Sequence, residues 1–147
     1  MNFDGDAVTE QSLGPVRIAV AEDEPDLRRA YVSLLTHMGH LVVCDVGDGA
    51  QLLAACDGLQ IDVAILDLEM PVMDGLTAAE DLTERGIPVV LVSGHPDARA
   101  LVLEEEPVVT RILKPATLDS LTRAINQALA QRRSIPLPGR EGLGEGL

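Results

Sequence analysis

The chain has 147 residues, enough for one domain with a single sizeable core. Apolar residues make up 46% but aromatics only 1%, so that core must be aliphatic. A formal charge of −13 without a basic stripe argues against direct nucleic-acid binding, and no apolar run reaches the roughly 18 residues of a membrane span.

Residues 1–15 read as a polar, flexible N-terminal tail without the apolar segment of a secretion signal. VRIAVA (16–21) has the pattern of a short buried strand. Pro25 can open a helix, and Leu27, Ala30, Tyr31, Leu34, Leu35 and Met38 recur at helical spacing. Tyr31 reads here as packing. Gly39 stops that helix. LVVCDV (41–46) is a second strand and DGAQLLAAC a second helix. IDVAIL (61–66) is the third strand, followed by a helix from about Asp74 to Arg85. IPVVLV (87–92) is the fourth strand, with a shorter helix from about Asp97 to Glu105. VVTRIL (108–113) is the fifth. The last helix starts near Thr117, a suitable N-cap, and carries Leu118, Leu121, Ile125, Ala128 and Leu129 on one face. From 133 to 147 the chain is Pro/Gly-rich and reads as a second flexible tail. Cys44 and Cys56 match no metal or redox spacing and read as reduced core thiols.

Five strands alternating with helices, each strand a continuous apolar run, predict a doubly wound α/β domain over residues 16–132. Its five-stranded parallel sheet is covered on both faces. In such folds ligands sit outside the carboxyl ends of the strands. Four separated stretches lie there: Glu22-Asp23-Glu24, Asp67, Ser93-Gly94 and Lys114-Pro115.

Two or three carboxylates brought together need relief. At 4 Å each like-charge pair costs about 4 kcal/mol at an effective dielectric near 20. A proton or a hard divalent cation such as Mg²⁺ supplies it, and the absence of His or Cys partners argues against zinc. Helix capping by Asp23 and Glu24 is a simpler role, but does not explain Asp67 on the same edge. Lys114 is the one lysine among 11 Lys and Arg residues, a point charge suited to one phosphate or carboxylate oxygen. Ser93 offers a hydroxyl, and Gly94 lets a ligand approach. An acidic pocket, a carboxylate nucleophile, a hydroxyl and an ammonium are equipment for phosphoryl transfer to Asp67.

With these residues in place, the chain resembles the receiver domain of two-component response regulators. The resemblance rests on AEDEP (21–25), ILDLEMPVMDG (65–75), VSGH (92–95) and LKP (113–115), in that order, and covers about residues 16–131. It implies a (βα)5 flavodoxin-like fold with strand order 2-1-3-4-5. Asp67 would be the phosphoacceptor, charged by the histidine of a sensor histidine kinase or a histidine phosphotransfer protein. Glu22, Asp23, Asp67 and the backbone carbonyl of Glu69 would hold Mg²⁺. Ser93, Gly94 and Lys114 would contact the phosphoryl group, and the Lys114–Pro115 bond would be cis. The resemblance further implies a cytoplasmic regulator whose downstream partner is another protein or a second copy of the chain. The short run of chain after residue 132 leaves no room for an output domain, so the expectation is either that output or a receiver segment of a longer chain.

Three departures stand out. Glu22 replaces the commoner Asp. The usual aromatic switch, three residues before the lysine, is Arg111, which could pair with the Glu104-Glu105-Glu106 run. Ala116 replaces a common aromatic. Glu69 and His95 occupy positions that tune dephosphorylation in the family. A haloacid-dehalogenase-like phosphatase uses similar groups, but places its nucleophile after the first strand and its extra acids last, the reverse of the order here. A receiver that binds partners without phosphate is the third reading, which the missing aromatic at 111 supports.

Overall fold

The structure is a computed structural model, and it describes residues 15–94 and 110–134. The strands are β1 (Arg17–Ala21), β2 (Leu41–Val46), β3 (Val63–Asp67), β4 (Val89–Ser93) and β5 (Thr110–Leu113). The helices are α1 (Pro25–His37), α2 (Gly49–Cys56), α3 (Gly75–Glu84) and α4 (Leu118–Ser134). All neighbouring strands pair in parallel, in the order β2-β1-β3-β4-β5. Class and strand order are those expected. The expected 97–105 helix, the Glu104–Glu106 run, His95 and nearly all of both tails lie outside the described residues, although α4 runs to Ser134, two residues into the expected C-terminal tail.

Pleat alternation sorts the core into two layers. Ile18, Val20, Val63, Ile65, Val90 and Val92 pack with Tyr31 and Leu35 of α1 and with Leu121, Ile125 and Ala128 of α4. Ala19, Ala21, Ala64, Leu66 and Leu91 pack with Leu52 of α2 and with Ala78, Ala79 and Leu82 of α3. Each face of the sheet is therefore covered, and the chain is doubly wound.

Several local expectations need correction. β2 is the edge strand and only half-buried, although its sequence reads as a buried run. Cys44 and Cys56 are accordingly half-buried free thiols, and burial raises the pKa of both, which keeps them in the unreactive thiol form. Ala30 is exposed on α1. Leu118 is also exposed, and Ala124 takes its expected place in the α4 seam. β3 starts at Val63, because Asp62 turns back on β1: its carboxylate accepts from the Arg17 N–H at 2.8 Å. β4 starts after Pro88, which has no N–H for a ladder.

The turn after β3 is held at both ends. The Gly75 N–H donates to the Leu68 carbonyl at 2.8 Å, and the Asp74 side chain caps α3 at the Thr77 N–H, also at 2.8 Å. A Cβ at Gly75 would lie 2.3 Å from the Asp67 carbonyl oxygen. The glycine thus lets α3 start directly against the strand that carries Asp67. Gly75→Ala must push helix and strand apart. Urea denaturation should show it less stable by about 2–3 kcal/mol, and an unchanged midpoint would contradict the contact.

Candidate functional site: an acidic strand-end cluster with one lysine

The carboxyl ends of β1, β3 and β5 meet on one side of the sheet. Backbone bonds carry the ladders one residue past the strands. Glu22 N–H donates to Val46 O at 3.0 Å, Leu68 N–H to Val92 O at 2.9 Å, and Lys114 N–H to Ser93 O at 2.8 Å. The flanking residues are therefore registered, not loose. Val20, Ile65 and Ile112 belong to the α1/α4 face. Glu22, Asp67 and Lys114 each follow by two residues and so share its parity. Ser93 has the parity of Leu91, on the other face.

Carboxylate oxygens of Glu22, Asp23 and Asp67 lie within 4.8 Å of one another. Glu22 is 1% exposed and Asp67 4%, while Asp23 is open to solvent. The Lys114 ammonium donates to Asp67 Oδ2 at 3.2 Å and lies 3.8 Å from Glu22 Oε1. The backbone N–H of Glu69 donates to Asp67 Oδ1 at 3.2 Å. Both oxygens of Asp67 are thus engaged, one by an ammonium and one by the turn that follows it.

Glu22 Oε2 accepts from the Glu24 N–H at 3.1 Å, but Oε1 is buried without a hydrogen bond. Burial is the main reason the Glu22 pKa rises from 4.5 to about 7. The Glu24 bond opposes the rise, Asp67 adds to it and Lys114 opposes it. Burial also works against the Lys114 charge, yet Asp67, Glu22 and Asp23 outweigh it and hold the ammonium above the usual lysine value. Three carboxylates against one ammonium leave an excess of about two negative charges when all are ionised. At 4.8 Å and an effective dielectric near 20, each like pair costs about 3.5 kcal/mol. Hard oxygen donors, that excess and the bare Glu22 Oε1 all fit a divalent cation of the Mg²⁺ type.

The expected site residues Glu22, Asp23, Asp67 and Lys114 come together. Ser93 is buried at the end of β4, tied to Lys114 through the backbone. The Lys114–Pro115 bond is cis, as expected. A Cβ at Gly94 would meet only Lys114 Cδ, at 4.0 Å, so packing does not require glycine there. The expected capping by Glu24 is absent: it occupies the N-cap of α1 without a side-chain bond, and Glu22 serves its N–H instead. Arg111 is half-buried beside Leu91.

Sequence reasoning missed Arg28. Its Nη1 donates to the Glu22 carbonyl at 2.7 Å, and its Nε lies 3.9 Å from Asp45 at the end of β2. The available signal was position: an arginine one turn into a helix that opens directly after the acidic loop leans back toward that loop.

Cluster and topology together define a class, and comparison with known proteins agrees. The response regulator receiver domain family matches residues 18–126. The transcriptional regulatory protein PdtaR of Mycobacterium tuberculosis is 28% identical over 123 residues, covering 82% of this chain and 60% of that protein. A protein-glutamate methylesterase/protein-glutamine glutaminase of Rhodospirillum rubrum is 32% identical over 111 residues, covering 75% of this chain but 28% of the enzyme. The crystal structure of a response regulator receiver protein from Sinorhizobium medicae superposes with a TM-score of 0.70 at 31% identity, covering 82% of this chain and 98% of that one. This chain belongs to the response regulator receiver domain family of two-component systems. It spans 60% or less of the curated relatives named here. Among the described residues, no helix is long and apolar enough to cross a membrane.

The Glu22 shift has a defined sign. Folded Glu22 binds its proton more tightly than unfolded Glu22, so in chelator its contribution to stability falls as pH rises from about 4.5 to about 7, then levels. At about 1.4 kcal/mol per unit the loss is at most about 3.5 kcal/mol. Glu22→Gln removes the titration. Urea midpoints in EDTA should show the variant gaining on wild type across that window; a constant difference would refute the shift.

Proposed function

We propose that this receiver takes a phosphoryl group on Asp67 from the phosphohistidine of a sensor histidine kinase or a phosphotransfer protein, and signals through protein–protein contact in the cytoplasm. The observation that carries the reading is the Lys114 ammonium 3.2 Å from a nearly buried Asp67, inside a cluster with excess carboxylate. An Asp67 carboxylate oxygen attacks phosphorus, the phosphorus–nitrogen bond of the donor breaks, and the imidazole leaves with the electron pair and takes up a proton. Lys114 orients the Asp67 carboxylate and then follows the new phosphoryl oxygens. The Glu69 N–H holds the second Asp67 oxygen and fixes the carboxylate plane. Ser93, on the opposite pleat parity, turns its hydroxyl toward a phosphoryl oxygen and couples the event to β4.

Glu22, Asp23, Asp67 and the Glu69 carbonyl would hold Mg²⁺, which when bound supplies charge neutralisation for the phosphoryl oxygens. Glu69 and His95 tune the later hydrolysis of the acyl phosphate by water. With Arg111 in place of an aromatic ring, the switch surface works without an inward-turning ring at that position. The acidic surface favours a basic protein partner over DNA.

The test is incubation with a small-molecule phosphodonor and Mg²⁺, read by intact mass. Wild type should gain one phosphoryl group, EDTA should abolish the gain, and Asp67→Asn should not be modified. Lys114→Ala should slow labelling about a hundredfold. A wild type that gains nothing, or an Asp67→Asn protein that labels equally, overturns the reading. Phospho-Asp67 lifetimes should change in Glu69→Ala and His95→Ala, and two unchanged lifetimes would remove the tuning role.

A further inference from the structure

The phosphoacceptor chemistry leaves Tyr31 unused. Its residue is 2% exposed, and its hydroxyl is buried without a hydrogen-bond partner. Buried tyrosine hydroxyls usually find a partner. A phenylalanine would fill the same space without that cost, so the oxygen calls for an explanation.

Helix direction says where the hydroxyl goes. α1 opens at Pro25, beside the acidic loop, and runs away from it. Long side chains on a helix lean toward its N-terminus. Tyr31 is six residues into the helix, about 9 Å along the axis, and the general lean of helical side chains shortens the distance between its hydroxyl and the acidic loop. It packs in the cluster that contains Val20, Ile65 and Val92. Val20 and Ile65 lie one pleat repeat below Glu22 and Asp67, and Val92 is the ladder partner of Asp67. Tyr31 therefore packs in the layer directly beneath the acidic cluster. Burial first, then the Glu22 charge, then the Asp67 charge raise the pKa of Tyr31, which puts both carboxylates within its electrostatic reach.

Glu22 Oε1 completes the argument independently. It is a buried acceptor without a donor, on the same face as a buried donor without an acceptor. We propose that Tyr31 is a positioning residue for the acidic site: its O–H donates to the Glu22 carboxylate through one bound water, since neither atom has a direct hydrogen-bond partner. Glu22 is then held from below by Tyr31 and from its own loop by the Glu24 N–H, so packing of α1 sets the aim of the carboxylate. The contact needs no metal; its consequence for Mg²⁺ rests on the function proposed above.

The deciding test is a double-mutant cycle in EDTA with Tyr31→Phe and Glu22→Met. Tyr31→Phe should lower the melting temperature of wild type by about 2 °C or more, because a made bond is lost. In the Glu22→Met background it should leave the melting temperature unchanged or raise it, because only an orphan hydroxyl is removed. Equal shifts in both backgrounds overturn the proposal. Glu22→Ala replaces Glu22→Met in the same cycle if the latter does not fold. A Mg²⁺ titration followed by melting temperature then separates the two readings. Wild type should respond, and Tyr31→Phe should need up to about tenfold more Mg²⁺. A wild type that ignores Mg²⁺ removes the metal reading and leaves the cycle to decide Tyr31; a Tyr31→Phe curve identical to wild type overturns the positioning role.

Discussion

The contact between Lys114 and Asp67 is the constraint around which the site is arranged. A carboxylate that is 4% exposed, with a second at 1% beside it, needs positive charge nearby. Lys114 supplies one unit at 3.2 Å from Asp67 and 3.8 Å from Glu22. One ammonium cannot balance three carboxylates, and the remainder shows in Glu22, whose proton affinity rises mainly through burial. The site is therefore built short of positive charge. The same shortage favours a divalent cation and a protonated Glu22, two ligands that compete for one carboxylate.

The sheet creates that arrangement without long loops. Three backbone bonds extend the ladders past β1, β3 and β5. Side chains at the strand ends and one step beyond thus follow the pleat, which gives Glu22, Asp67 and Lys114 a common face and leaves Ser93 on the other. Arg28 pins the Glu22 carbonyl from α1, and Gly75 lets α3 begin against the Asp67 backbone. The two buried carboxylates, Glu22 and Asp67, are held by registered strand ends, while Asp23 completes the cluster from the exposed loop.

Much of this was legible in the sequence because it depends on order and periodicity. Continuous apolar runs gave away the parallel sheet, and an acid, aspartate, serine and lysine each falling after a different strand identified the edge. What escaped depends on three-dimensional direction. Leu118 has the right spacing for the α4 seam but lies in the first turn, beyond the sheet's cover. Glu24 sits where a cap belongs, yet its N–H is taken by Glu22 and its side chain makes no cap bond. LVVCDV is as apolar as a central strand, and only the strand order makes it an edge. Tyr31 reads as packing from spacing alone; that its hydroxyl is buried without a side-chain or backbone partner is visible only in the packed core.

The two unusual aromatic choices in this chain belong to one account. The family resemblance leads to an aromatic ring three residues before the lysine, and the chain places Arg111 there, beside Leu91 on the α2/α3 side of the sheet. Its single tyrosine sits instead on α1, against the opposite side of the same strands. A ring at 111 would sense the site from β5. A phenol at 31 meets it from beneath, through Glu22 rather than through Ser93. Both groups belong to α1: Arg28 holds the Glu22 carbonyl at 2.7 Å, and Tyr31 packs in the layer beneath, so the placement of that helix bears on Glu22 more directly than on Ser93.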